Sequence, residues 1–262
     1  MTNTAMTINR SRQKSPAPER LAYHAALSIS ALAVLYLLTA LISGRAWLPF
    51  IDIAATPAEL ALPLIQCALG IAALQIPALL KRTAKIDLPD SLCILFYAFV
   101  LCGTVFGEMF SLYYAVPMWD DILHLASGIM SAMLGAIVSV TFLQRKKCTA
   151  LITPVVIAVA ALCFAVCIGT FWEIYEFAGD SLLGLNMQKC LLRDGSALIG
   201  KAALADTMKD LIVDTVGAAL TATSAFVSLK MKRGWLRSHV EGKSAAQERG
   251  VISNREVISP SA

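Results

Sequence analysis

The sequence predicts an all-α fold, a polytopic membrane helical bundle of about six transmembrane helices with both termini cytoplasmic. Three observations predict it. The composition is 57% hydrophobic and only 15% charged, whereas globular chains carry about 25% charged residues. Apolar stretches of about 20 residues recur, the length that crosses a hydrocarbon core of about 30 Å. Basic residues fall in alternate connections, as a path weaving across a membrane requires.

The first span, Leu21–Ser43, follows Arg10, Arg12, Lys14 and Arg20. Its apolar run exceeds the 7–15 residues usual in a signal peptide, and no small-x-small cleavage site follows, so a retained signal anchor is expected. The second and third spans, Pro57–Leu80 and Leu88–Met109, are separated by Lys81, Arg82 and Lys85. The fourth, Ile122–Leu143, begins in an acidic cluster and ends at Arg145, Lys146 and Lys147. The fifth is Leu151–Trp172. The sixth, Asp206–Leu229, is followed by Lys230, Lys232, Arg233, Arg237, Lys243, Arg249 and Arg255.

Seventeen of the 22 Lys and Arg residues thus lie on one side, which the positive-inside rule makes cytoplasmic. The other side holds Arg45, Lys189, Arg193 and Lys201, with Lys209 just inside the last span. The net charge of +4 belongs to this pattern and argues against a nucleic-acid partner. Trp47, Phe50, Tyr113, Tyr114, Trp119 and Trp172 fall at outer ends and Trp235 at an inner end, as interfacial anchors do. The seven cysteines show no metal-finger spacing and receive no role.

Residues 1–20 read as a disordered basic cytoplasmic N-terminus, 21–232 as the membrane domain, and 233–262 as a disordered cytoplasmic tail. A glycine-containing outer loop, 179–205, is long enough to cover a site. No internal repeat supports an inverted-repeat transporter plan.

Most ionisable residues of the apolar segments collect at the outer end. Glu108 ends the third span, Asp120, Asp121 and His124 open the fourth, Glu173 and Glu176 end the fifth with Asp180 following, and Asp206, Asp210 and Asp214 open the sixth. Charged groups in hydrocarbon cost about 2.5–3.5 kcal/mol each on insertion scales, so they mark functional sites by default. Spacings of four put Asp120 with His124, and Asp206 with Asp210 and Asp214, on single helix faces, the latter a column about 12 Å deep. Carboxylates this dense call for shared protons or a cation. Mg²⁺, Mn²⁺, Ca²⁺ or Zn²⁺ would suit oxygen ligands with one imidazole, and no organic cofactor is indicated. The helix dipole explains Asp120, Asp121 and Asp206 as N-terminal acids, but not Asp214, or Glu173 and Glu176 at an expected C-terminus. Lys209 reads as a partner of Asp206 or Asp210, and Gly217 as a point of close helix approach.

Three motifs carry a family resemblance: Trp119-Asp120-Asp121-Ile122-Leu123-His124, Phe171-Trp172-Glu173-Ile174-Tyr175-Glu176-Phe177, and Asp206 through Ala218. Their order and spacing resemble the YjdF-like family of bacterial inner-membrane proteins and, more distantly, VanZ-like proteins, in which the position of Glu176 is often an amide. The resemblance implies the membrane and the pairs Asp120–His124, Glu173–Glu176 and Asp206–Asp210, without a settled reaction.

The leading expectation is an outward-facing site for metal-assisted hydrolysis or transfer on a lipid or cell-envelope molecule. Asp120, His124, Glu176 and Asp210 would hold the ion, with Glu173, Asp206 and Asp214 as acid/base or supporting groups. A proton- or cation-coupled transporter and a structural membrane partner are the alternatives. The sequence leaves substrate and oligomeric state open.

Overall fold

A computed structural model describes residues 17–44, 57–192, 194–236 and 240. The expected tails, Arg45, Trp47, Phe50 and Arg193 lie outside the described residues. The described chain is helical and contains six helices long and apolar enough to cross a membrane. In chain order they are α1 (Pro18–Ser43), α2 with α3 (Pro57–Ala73 and Ile76–Thr83), α4 (Asp90–Leu101) with a π-helical continuation over Cys102–Met109, α6 (Trp119–Arg145), α7 (Pro154–Leu183) and α8 (Lys201–Lys230). A short α5, Leu112–Ala115, links the π-helical turn to α6.

Local sequence sets several boundaries. Pro77, which lacks an N–H, sits in the first turn of α3, and the helix restarts there after a turn at Leu74–Gln75. Thr153 caps α7, its side chain accepting from Val156 N–H at 3.3 Å ahead of Pro154. Gly184, at φ +64, closes α7 in the left-handed conformation that glycine adopts without strain.

The helices form two packed groups, α6–α7–α8 and α1–α2–α4, which meet mainly through α4 and α6. The first group is lined with small residues. Ala132, Ala136, Ala161, Ala165, Ala218 and Ala225 are buried with Val140 and Ile157. In a membrane, where lipid tails are as apolar as leucine, close backbone approach and dispersion supply the association energy. Large apolar side chains such as Leu32, Ile42, Phe171 and Phe177 instead point outward.

Two span ends differ from the sequence expectation, both by extension. The fifth span does not stop at Trp172 but runs on to Leu183, and the sixth begins at Lys201. Apolarity fades at the acidic residues, but the hydrogen-bonded ladder and the helix propensity of Glu and Ala carry the helices on. Glu173 and Glu176 are therefore not at a helix C-terminus, and Asp206 is beyond the first turn of α8. A dipole confined to the terminal turns accounts for neither. The connection between α7 and α8 is correspondingly shorter, residues 184–200.

Candidate functional site

Three glycines determine how closely the site is drawn together. A Cβ on Gly128 of α6 would collide with the Asp214 backbone carbonyl, and one on Gly217 of α8 would lie 2.5 Å from the Leu125 carbonyl oxygen. A Cβ on Gly169 of α7 would lie 2.7 Å from Asp214 Oδ2. Only hydrogen fits at these contacts, so α6 and α8 meet backbone to backbone and the Asp214 carboxylate lies against α7. The close approach expected of Gly217 is present; Gly128 and Gly169 are further contacts of the same kind.

His124 lies at the centre. Its Nδ1 is 3.0 Å from Asp214 Oδ2, and both side chains are almost fully buried. An ionised carboxylate can only accept, so this contact puts the ring proton on Nδ1 and turns Nε2 toward the remaining acids. Nε2 is 3.7 Å from Asp120 Oδ1 and 3.9 Å from Glu173 Oε1. One ligand atom each from Asp120, His124 and Asp210 can be chosen so that all lie within 4.8 Å of one another. Atoms bound to one ion at 2.0–2.6 Å are at most about 5 Å apart, so the group has the dimensions of a metal site.

Burial grades the members. Asp210, Asp214, Glu173 and His124 are each at most 6% exposed, whereas the Asp120 side chain is 37% exposed and marks the way in. Glu173 Oε1 and Asp214 Oδ1 are buried with no hydrogen-bond partner. Such atoms are costly unless a ligand, a proton or water completes them.

The other sequence-derived candidates lie around this centre. Glu176, expected among the metal-holding residues, is outside the three-residue group; its neighbour one turn back, Glu173, is the α7 carboxylate beside Nε2. Glu176 is still close enough to Glu173, Asp120 and His124 to interact electrostatically. Asp206 is half-buried, one turn above Asp210 on α8. Lys209 pairs with Asp121 at 2.6 Å, not with Asp206 or Asp210.

The connection after α7 folds back over this end. Asp180 accepts the N–H groups of Met187 at 2.6 Å and Gln188 at 3.0 Å. Gln188 donates to Thr207 Oγ1 at 3.2 Å, tying the segment to α8. Lys189 reaches Glu108 Oε1 at 2.6 Å and lies 4.7 Å from the Tyr113 ring centroid. Tyr113 is therefore turned inward rather than serving as an interfacial anchor; its ring occupies the space that a Cβ on Gly107 would need. The π-helical segment carrying Gly107 and Glu108 closes with Phe110 N–H donating to Val105 O at 3.0 Å. Such wide turns recur at functional sites. Among the loop residues, burial pushes the Cys190 thiol above its ordinary value, while hydrogen bonds from Ser196 hold Asp194 below the usual carboxylate range.

An acidic, glycine-built centre inside six apolar helices defines the class as a multi-pass membrane protein with a buried Asp/His/Asp group. The chain belongs to the family described as Predicted membrane protein (DUF2238), which matches residues 29–231 and so includes every site residue named above. No curated protein and no solved structure matches the chain.

Proposed function

We propose that this protein holds a divalent metal ion at Asp120, His124 and Asp210 and hydrolyses or transfers a group on a lipid or cell-envelope molecule at the outer face of the bacterial inner membrane. The observation that carries the reading is the convergence of three ligand atoms within 4.8 Å. The buried, unpartnered Glu173 Oε1, 3.9 Å from the same imidazole, adds to it. Three protein ligands leave coordination positions for water and substrate, as catalytic sites do. The imidazole favours Zn²⁺ or Mn²⁺ over Mg²⁺ and Ca²⁺.

A bound ion would polarise an ester or phosphoryl oxygen and acidify a water. The residues supply the rest. Asp214 fixes the imidazole tautomer and ring orientation, as carboxylates behind metal-bound histidines do. Glu173 Oε1 takes the water proton and returns it to the leaving oxygen. Glu176 and Asp206 flank this exchange, and half-exposed Asp120 lines the entry.

The outer facing rests on the partition of basic residues, and six spans then put both termini on the cytoplasmic side. The YjdF-like resemblance supports a bacterial inner-membrane setting. Conduction through the bundle is disfavoured, because Ala132, Ala136, Val140, Ala161, Ala218 and Ala225 fill the α6–α8 core. The decisive experiment is metal analysis of detergent-purified protein beside His124→Ala and Asp210→Asn. A stoichiometric divalent ion in the wild type, lost in both variants, is expected; a metal-free wild type that binds none of Zn²⁺, Mn²⁺, Mg²⁺ or Ca²⁺ on titration refutes the site.

A further inference from the structure

We propose that Lys189 binds the phosphate of a phosphorylated ligand entering beside Asp120, which makes the substrate a phospholipid-type anion. The inference takes the position of the reacting centre from the metal-site reading, but its charge argument is separate.

Lys189 is delivered to its place by a built segment. Its backbone is at φ +52, a conformation uncommon for a residue with a Cβ. The flanking residues are fastened on three sides. Asp180 of α7 holds Met187 and Gln188, Gln188 reaches Thr207 of α8, and Asn186 Nδ2 donates to Tyr114 Oη of α5 at 2.8 Å. Asn186 Oδ1 also accepts from Leu191 N–H at 2.8 Å, closing the turn around Lys189. The lysine side chain is only 14% exposed. A casual surface ion pair would not require this much construction.

The ammonium has three hydrogens. It donates to Glu108 Oε1 at 2.6 Å and to the Asn186 carbonyl at 3.2 Å, which leaves one for a ligand. Its charge, with that of Lys209, acts on Asp120, the entry residue. The indole N–H of Trp119, next to Asp120 in the chain, is buried with no acceptor among the described residues. Unspent donors thus accompany an acidic centre. A phosphate suits both sides, since one oxygen can meet an ion held by Asp120, His124 and Asp210 while others accept from lysine, a recurrent point-charge phosphate binder. Met118 and Ile122, on either side of Asp120 in sequence, are 68% and 56% exposed, so apolar surface for acyl chains adjoins the polar entry.

The test is native mass spectrometry of the full chain in detergent, titrated with short-chain phosphatidate, the matching diacylglycerol, and inorganic phosphate. Phosphatidate should bind the wild type, bind Lys189→Met about tenfold more weakly or worse, and recover in Lys189→Arg. Diacylglycerol should bind weakly throughout. Inorganic phosphate that displaces phosphatidate with the same Lys189 dependence supports the phosphate chemistry and assigns a soluble source. Glu108→Gln is the second variant, because it frees Lys189 without altering the loop's other bonds. It should bind phosphatidate several-fold more tightly. Equal phosphatidate binding by wild type and Lys189→Met overturns the proposal. So does diacylglycerol binding as tight as phosphatidate, or a Glu108→Gln affinity no higher than wild type. Metal content separates the two readings: phosphate bound through Lys189 by a protein that takes up no metal leaves this inference standing and removes the metal site.

Discussion

His124 and Asp214 meet at 3.0 Å across the α6–α8 contact, 90 residues apart in the chain, in a space that Gly128 and Gly169 keep free of side chains. This pair links packing to chemistry. The same backbone approach that excludes a methyl group sets the imidazole tautomer and turns Nε2 toward Asp120, Asp210 and Glu173.

Asp214→Asn should lower metal affinity by about 10–100-fold without abolishing it, the usual cost of losing the carboxylate behind a ligating histidine. Competition with a chelator of known affinity measures it. Loss as complete as in His124→Ala would make Asp214 a direct ligand instead.

Glu173→Gln and Glu176→Gln should behave differently. The first keeps the size of the side chain but removes the proton acceptor beside Nε2, so turnover should fall by about 10²–10⁴-fold with metal retained. The second should have the smaller effect, because Glu176 is one turn further along α7. Equal losses in the two variants would mean that neither carboxylate has a privileged place.

Gly128→Ala should destabilise the bundle by about 1–3 kcal/mol or more, since the added methyl meets backbone that cannot rotate away. A lowered thermal transition in detergent is the readout. Gly44→Ala, where a Cβ meets nothing within 4 Å but φ is +64, should show only the smaller cost of a left-handed alanine.

The connection 184–200 should be accessible from outside the cell. In a cysteine-free background, a thiol at Gly184 or Gly195 should react with an impermeant maleimide in intact cells, while one at Thr83 or Lys146 should not. Labelling at Lys146 would invert the topology and turn the site inward.

Native Cys190, tested alone, should react slowly at neutral pH. Burial raises its thiol above the ordinary value, and Asp206, Asp180 and Glu176 add to that, so less of the reactive thiolate is present. The alkylation rate should climb as pH rises through the raised value, later than for an exposed cysteine at position 184. Coincident profiles would show that the loop does not shield it.

Much of this protein was legible in the sequence because a bilayer imposes length and polarity rules on every crossing segment. The six spans, the collection of acids at one end and the four-residue spacings of Asp120 with His124 and Asp210 with Asp214 follow from local periodicity. Span ends were less legible at Glu173–Leu183 and Lys201–Ala205, since the helical ladder persists where hydropathy falls. Tertiary structure alone decided that Glu173 rather than Glu176 stands beside His124, that Lys209 pairs with Asp121, and that Lys189 returns to Glu108. Those choices depend on helix rotation and separation, which are set by where Gly128, Gly169 and Gly217 let backbones touch. No one-dimensional pattern encodes that contact, because it requires three helices far apart in the chain to meet at once.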